Sequence, residues 1–561
     1  AGIASLTSED RSREEWFRLR WMAVLAFAWV IGFLHTWARA GSSHEVLGLA
    51  AIEAAIVCAG YVALMHPGRA IHSRVGAPLG RVIAGRPGKA LTAIVALAAL
   101  ALWAGSWRTA ETARGEARRR GMNVILIVID TLRADRPSFF AVDERPRDLT
   151  PNIRDLLARR GTVYTKAISQ APWTMPAVSS IMTGLYPDEH GAEQRDGTLP
   201  PDQLTVAEIL REAGYRTVGA SSVVLITKAS GVVQGFESFD ESQALDHTTI
   251  SSRAITDKSI EFLRARSDEP FFLFAHYFDP HWAYRDHSEY DFADGYNGWL
   301  RDLMPEIRHN EFGEYVASVR PRPRRHLFDP DELSFLHDLY AEEIAYTDAE
   351  IGRLLGYVRE SGLEENSLVI LVADHGEEFL ERGNLGHGRT VHQELIHVPL
   401  IIAEPASAGG ETRPYPVETR ALFTTVLEFL CVPPPPGRAL PASLLSDRGS
   451  ERSLVRSSTY TLVTAEAGRR FPEPVNLWWT SLQDGRWKLI KEHLRGRALL
   501  YDLSRDPGET RECSGEYPEQ RNRLERHLDQ LDVEAQSAAP TRPVPEADEE
   551  HQRRLKSLGY L

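Results

Sequence analysis

The sequence predicts an α/β protein: a mixed, mainly parallel sheet flanked by helices, with a smaller C-terminal subdomain and an N-terminal transmembrane helical segment. Three observations predict it. Two unbroken apolar runs, Asn123-Val124-Ile125-Leu126-Ile127-Val128-Ile129-Asp130 and Ser367-Leu368-Val369-Ile370-Leu371-Val372-Ala373-Asp374, end in a carboxylate, the pattern of strands covered on both faces. Strand-like and helix-like patterns alternate around them. Ahead of residue 120 lie three apolar stretches near the length that spans a bilayer. With 561 residues, 43% apolar and 25% charged, the chain has ordinary globular usage and is too long for one small domain.

Taken in order, residues 1–120 read as a membrane anchor. Trp21 to Trp37, Val46 to Met65 and Ala90 to Trp107 hold 17, 20 and 18 residues. One such stretch alone would suit a signal peptide, with Ala38-Arg39-Ala40 as a cleavage site; three in a row favour a small transmembrane bundle. Arg11, Arg13, Arg18 and Arg20 precede the first stretch, and Arg69, Arg74, Arg81, Arg86 and Lys89 lie between the second and third, whereas the first loop holds only Arg39. Positive-inside counting therefore predicts a multi-pass protein of the cell membrane, its N-terminus cytoplasmic and the rest of the chain on the periplasmic or extracellular side. Arg114 and Arg118 to Arg120 argue mildly the other way.

Residues 121–432 read as the main domain. In open α/β sheets, ligands gather beyond the carboxyl ends of strands. The two apolar runs would deliver Asp130, Asp374 and His375 to such a place. Hard oxygen ligands with one imidazole suit a single divalent cation, Ca²⁺, Mg²⁺, Mn²⁺ or Zn²⁺. Between the strands lies Gln170-Ala171-Pro172-Trp173-Thr174-Met175-Pro176, which sets one hydroxyl between two prolines at a helix start. Thr174 has two readings: a plain helix cap, or a nucleophile beside backbone donors that favour an anionic ester.

Farther on, Asn152 to Arg160 and Leu204 to Ala213 read as helices, Thr217 to Ala220 as a strand and Ser334 to Glu360 as a long amphipathic helix. Residues 286–330, rich in charge, aromatics and proline, read as an insertion or lid. His276 falls in the apolar run Phe271 to Phe278 and reads as a satisfied core histidine. The proline run Pro433 to Pro436 opens the C-terminal subdomain and tail, residues 433–561, with a folded part near 475–505. Of three cysteines, only Cys431 and Cys513 lie outside the apolar stretches; whether they pair is not readable from spacing. The formal charge of −14 argues against nucleic acid as a partner.

An ordered set of short motifs runs along the chain: Asp130-Thr131-Leu132-Arg133-Ala134-Asp135, Thr150-Pro151-Asn152-Ile153, the Thr174 run with Thr183-Gly184-Leu185-Tyr186-Pro187, His190-Gly191, Phe278-Asp279-Pro280-His281, Asp374-His375-Gly376-Glu377, Gly386-His387-Gly388 and His397-Val398-Pro399-Leu400-Ile401. The tail adds Asp484-Gly485-Arg486-Trp487-Lys488-Leu489-Ile490, Leu500-Tyr501-Asp502-Leu503, Asp506-Pro507-Gly508-Glu509 and Leu555-Lys556-Ser557-Leu558-Gly559-Tyr560. In these motifs the chain resembles the sulfatase family of the alkaline-phosphatase superfamily. The resemblance implies an alkaline-phosphatase-like fold and a metal-dependent hydrolase of sulfuric or phosphoric esters.

One departure bears on the chemistry. The family signature is Cys or Ser, any residue, Pro, Ser, Arg, and its first residue becomes formylglycine. Here the aligned residues are Thr174, Met175, Pro176, Ala177 and Val178, so no formylglycine is expected. Thr in this place is similar to lipoteichoic acid synthases and phosphoethanolamine transferases, where a metal-bound Thr alkoxide attacks phosphorus. The basic pair that sulfatases aim at sulfate is also missing; Thr217 to Asp240 holds only Lys228. A cation on Asp130, Thr174, Asp374 and His375 would then activate the hydroxyl. His281 and His387 are candidates for contacting ester oxygens or protonating the leaving alcohol, and His387 alternatively for a second metal. His190 reads as a loop residue or one behind the ligands, and His392 and His397 as structural. Three functions stand: a membrane-anchored ester hydrolase, a transferase moving a phosphoryl headgroup to a lipid or glycan, and an inactive membrane-tethered binding module.

Overall fold

Strand β1, Asn123–Ile129, is buried along its whole length, as its seven apolar or paired residues require. The computed structural model describes residues 121–140, 147–194, 197–244, 251–265, 269–305, 328–405, 407, 409–446, 454–466, 469–538 and 549–557. The chain divides into a unit of Glu116–Pro434 with Leu440–Leu561 and a unit of Ala1–Gly115 with Pro435–Ala439. The latter lies outside the described residues save Pro435–Ala439, and the three apolar stretches of the N-terminal segment lie outside them entirely. Among the described residues, no helix is long and apolar enough to cross a membrane.

The larger unit is built on a nine-stranded mixed sheet. Its strands in chain order are β1, β2 (Thr162–Ile168), β3 (Arg216–Ser221), β4 (Ser238–Asp240), β5 (Phe271–Tyr277), β6 (Ser367–Ala373), β9 (His397–Val398), β10 (Leu400–Ala403) and β11 (Glu411–Glu418). The spatial order is β11-β2-β10-β6-β1-β5-β3-β4, with β9 on β2. β7 (Glu378–Phe379) and β8 (Leu385–Gly386) form a separate small ribbon. β10 runs antiparallel to β2 and β6, and β9 antiparallel to β2; the other pairs of this sheet are parallel. β1, β5 and β6 are buried throughout, as expected of parallel strands with helices over both faces.

The helices that matter for the site are α1 (Thr174–Thr183), α2 (Val206–Glu212), α3 (Ser252–Ala265), α4 (Pro330–Glu360) and α5 (Leu422–Phe429). α3 packs on β5 and β3 and against α4, while α1 packs against α2 and α5. α4 opens with a capping box, Asp329 accepting from Glu332 N–H while the Glu332 side chain returns to Asp329. The expected helix over Asn152 to Arg160 is one turn of α-helix, Pro151–Ile153, that widens into a π-helix at Arg154–Ala158. Asp348 of α4 explains the anchoring, since its carboxylate takes the N–H groups of Asn152 and Ile153 and the Asn152 amide.

The segment read as an insertion is tied down where it is described. His287 N–H and Ala293 N–H donate to Glu342, Arg285 N–H to Glu343, and the Trp299 indole to Glu332. Residues 286–305 are thus laid along α4; residues 306–327 lie outside the described set. The C-terminal subdomain is an antiparallel sheet, β12 (Leu454–Glu466), β13 (Arg469–Asp484), β14 (Trp487–Glu492) and β15 (Arg497–Asp502). Gly485, at φ +59°, turns the tight β13–β14 hairpin. Helix α6 (Pro518–Ala538) seats Leu524 and Leu528 on Leu482, Leu489 and Leu500 of the sheet. In the tail, Leu555 returns to the main core. Cys431 and Cys513 are free thiols.

Candidate active site

Strand register assembles the first half of the site. In the parallel ladder, Val128 of β1 lies opposite His276 of β5 and Val372 of β6. Side chains repeat every two residues along a strand. Asp130 and Asp374, two positions past Val128 and Val372, therefore emerge beside each other on the face that carries His276. All three are fully buried, and one ligand atom from each lies within 4.8 Å of the others. His276 Nε2 stands 3.8 Å from Asp130 Oδ2 and 4.0 Å from Asp374 Oδ2. The reading of His276 as a satisfied core residue is thus corrected: neither of its ring nitrogens carries a hydrogen bond among the described residues.

Helix α1 supplies the hydroxyl. The cap position is taken by Trp173 in extended conformation (φ −160°, ψ 159°), and no side chain caps the helix. Thr174 is the first helical residue, and Pro176 sits in the first turn, where its missing N–H leaves no bond unmade. The cap reading of Thr174 therefore falls. Its Oγ1 is directed instead at the metal-type cluster, donating to Asp130 Oδ2 at 3.4 Å and lying 3.3 Å from His375 Nε2.

His375 completes the group, with Nε2 3.4 Å from Asp130 Oδ1 and 3.6 Å from Asp374 Oδ2. Its Nδ1 lies 2.9 Å from the Gly376 carbonyl, which assigns the proton to Nδ1 and leaves the Nε2 lone pair facing the carboxylates. Burial pulls the imidazole down to about 4, so it is neutral at physiological pH. Asp374 Oδ1 accepts from the N–H groups of Thr131 and His375. Asp374 Oδ2 and Asp130 Oδ1 make no hydrogen bond among the described residues.

Burial, then the negative charge of Asp374, pushes Asp130 well above the carboxylate range. Burial also opposes the charge on Asp374, but His375 and His276 outweigh it and lower that carboxyl. Orphaned carboxylate oxygens and a bare imidazole converging in a dry site are the donor set a divalent cation requires. The residues fit the ion.

Around this group stand the other predicted histidines. The His387 ring lies 4.4 Å from that of His375 and 4.8 Å from that of His281, centroid to centroid. His281 is stacked on Phe278 and held through Nδ1 at 2.6 Å from the Trp282 carbonyl. His387 Nδ1 meets Glu377 Oε1 at 2.8 Å, and Tyr284 donates to Oε2 at 3.2 Å. Glu377 is wholly buried, and burial drives its carboxyl up to about 8. A neutral Glu377 donating to Nδ1 leaves the His387 proton on Nε2. Arg133 pins the loop after β1 to the loop after β6, gripping both oxygens of Asp135 at 2.9 and 2.8 Å and donating to the Glu377 carbonyl at 2.9 Å.

The structure brings Asp130, Thr174, Asp374, His375, His281 and His387 into one place. It adds His276 and Glu377, which sequence reasoning missed. His276 is the lone imidazole in an apolar strand, one position before its end; only the register with β1 reveals its face. Lys228 is exposed. His190 bonds Ser180 and the Pro176 carbonyl inside the α1 turn. His392 meets Glu509, and His397 meets the Thr165 carbonyl.

Residues 122–431 match the family model described as Sulfatase. Among curated relatives, the uncharacterized sulfatase YidJ of Escherichia coli (strain K12) is 25% identical over 401 residues, covering 64% of this chain and 77% of its own. The fold is shared with the structure of BT4656 in complex with D-glucosamine-2-N,6-O-disulfate (TM-score 0.59, 20% identity, 74% of this chain and 98% of that one). It is also shared with the phosphonate monoester hydrolase SpPMH from Silicibacter pomeroyi (TM-score 0.56, 19% identity, 74% and 96%). The chain belongs to the sulfatase family and is a sulfatase-like ester hydrolase.

Proposed function

We propose that this chain is a membrane-anchored, divalent-metal-dependent hydrolase that uses Thr174 as its nucleophile and turns over phosphoric esters faster than matched sulfuric esters. The observation that carries the reading is the Thr174 hydroxyl itself, which caps nothing and is set between Asp130 Oδ2 and His375 Nε2.

Asp130, His276, Asp374 and His375, with Thr174, are the residues that would hold the cation, which when bound lowers the hydroxyl's pKa and neutralises charge on the ester. The rest falls to the side chains. The N-terminus of α1 offers its backbone N–H groups to the ester's anionic oxygens. As Thr174 Oγ1 bonds to phosphorus, Asp130 Oδ2 takes the hydroxyl proton and the leaving oxygen departs. His387 Nε2, backed by Glu377, gives a proton to that leaving oxygen. Water then attacks the phosphoryl-threonine, its proton passing to His387 Nε2; as the Oγ1–P bond breaks, Asp130 gives back the proton it took and the hydroxyl is restored. A sulfuryl-threonine lacks the hemiacetal route by which formylglycine expels sulfate, which favours phosphorus as the substrate atom.

The three apolar stretches before residue 120 support placement in the cell membrane with the site on the outer side, and they favour one second reading. An acceptor alcohol on a lipid or glycan, in place of water, would make the enzyme a phosphoryl-headgroup transferase. The inactive-module reading is disfavoured, since a dead site need not keep four converging ligands. Purified protein assayed on aryl phosphate mono- and diesters and aryl sulfates, with and without Mn²⁺, Ca²⁺ or Zn²⁺, tests the proposal. Metal-dependent release from the phosphoesters is expected. Sulfate esters as the faster substrates, or turnover unaffected by chelation, would refute it.

A further inference from the structure

Two motifs of the C-terminal part, Trp487-Lys488-Leu489 and Asp506-Pro507-Gly508-Glu509, have no place in the chemistry above, yet the fold brings them together against the turn at His392 and Gln393. Lys488 Nζ lies 2.7 Å from Glu509 Oε1, with both side chains within 1% of full burial. The second carboxylate oxygen lies 2.8 Å from His392 Nδ1 and accepts the Gln393 N–H at 2.9 Å. Glu509 also sits at φ +51°, a conformation that residues other than glycine seldom adopt.

A strained, buried ion pair is a poor source of stability, because desolvating both charges offsets their attraction. What it supplies is a fixed position for the turn 392–396. From that turn the Leu395 carbonyl accepts Gly376 N–H at 2.7 Å, next to His375, and the Ile396 carbonyl accepts Ser169 N–H at 2.8 Å, on the approach to Thr174. The fit is close: a Cβ on Gly376 would meet the Glu394 carbonyl oxygen at 2.1 Å. Arg382 ties the same loop down, donating to the Glu509 carbonyl at 2.8 Å and to Glu394 Oε1 at 3.0 Å.

We infer that Lys488, Glu509 and His392 form a positioning device by which the C-terminal sheet sets the backbone around His375 and the nucleophile segment. The inference rests on the function proposed above. Its test is the double variant Lys488→Met/Glu509→Met, which removes both charges together and so leaves no buried ion unpaired. The expected result is a thermal midpoint near the wild-type value, a kcat at least tenfold lower on the best aryl ester of the panel and a KM within twofold. A folded double variant with wild-type kcat overturns the inference.

If the double variant does not fold, His392→Phe is read by the same criteria; it keeps ring contacts with Trp479 and Tyr501 and loses the hydrogen bond. Failure of both to fold also overturns the inference, by making the cluster a fold determinant. Absence of turnover in the wild type itself counts against the proposed function instead.

Discussion

Thr174→Ala separates chemistry from stability more sharply than any other single change. The residue is 1% exposed and its hydroxyl makes two long contacts, 3.4 Å to Asp130 and 3.3 Å to His375. Removing the methyl forfeits about 0.8 kcal/mol of burial, and losing the hydroxyl contact about 0.5–1 kcal/mol. Alanine returns up to about 0.6 kcal/mol of helix propensity in the first turn. No cap is lost, because Trp173 holds that position without a side-chain bond. The net destabilisation is about 1 kcal/mol, a fall of a few degrees at most in melting temperature for a domain of this size.

Turnover should fall by about 10³-fold or more, the scale of losing a covalent nucleophile. The assay pairs circular dichroism melting with hydrolysis of an aryl phosphodiester. Peptide mass spectrometry of wild type trapped with a slow substrate should place the adduct on Thr174. A Thr174→Ala protein active within tenfold of wild type, an aldehyde at position 174, or an adduct on Ser179 or Ser180 would refute the reasoning.

Asp374→Asn removes a charge from the centre of the ligand group, and both Mn²⁺ uptake by calorimetry and turnover should vanish; a metal-loaded, active variant would dismiss the assignment. His276→Ala should weaken the same calorimetric affinity by at least about tenfold, whereas an unchanged isotherm would return His276 to the core. At Glu509 burial opposes the charge, but Lys488 and His392 outweigh it and hold the carboxyl down at about 2. A depressed folded pKa contributes stability above the unfolded value of about 4.5 and loses it as pH falls toward about 2. The Glu509 share of the unfolding free energy should therefore fall across that window by about 3 kcal/mol, read in denaturant titrations as the difference in pH dependence between wild type and the Lys488→Met/Glu509→Met variant. A reporter fused after Gly121 should behave as exported; cytoplasmic activity there would show the number of spans to be wrong by one.

Much of this was legible in the chain, for identifiable reasons. β1 and β6 declared themselves as short apolar runs rich in Val and Ile, and their terminal carboxylates marked the ligand end. Thr174 was legible as a hydroxyl between prolines, although only the structure shows it released from capping duty. His276 was not, because its meaning lies in which residue of β1 it faces, and inter-strand register leaves no trace in one strand's own sequence. Glu377 was quoted within a motif but given no task, since its partner His387 arrives from another loop. Glu342 and Glu343 lie in a helix legible only as amphipathic; they are buried because the segment after β5 hands them backbone N–H groups. The widened turn at Arg154–Ala158 has no sequence signature we recognise.

The parallel ladder β5-β1-β6 also sets the order in which the protein can mature. Its three strands come from positions 271–277, 123–129 and 367–373, so the complete set of carboxylates and imidazoles waits on the last of them. A chain still being synthesised, with β6 unmade, offers a cation one aspartate and one histidine, no better than an unfolded peptide. Parallel pairings between such distant segments form slowly. On the proposed metal site, cation uptake would therefore be an event of the finished sheet, and a cation supplied during refolding should leave the early rate untouched while trapping the product.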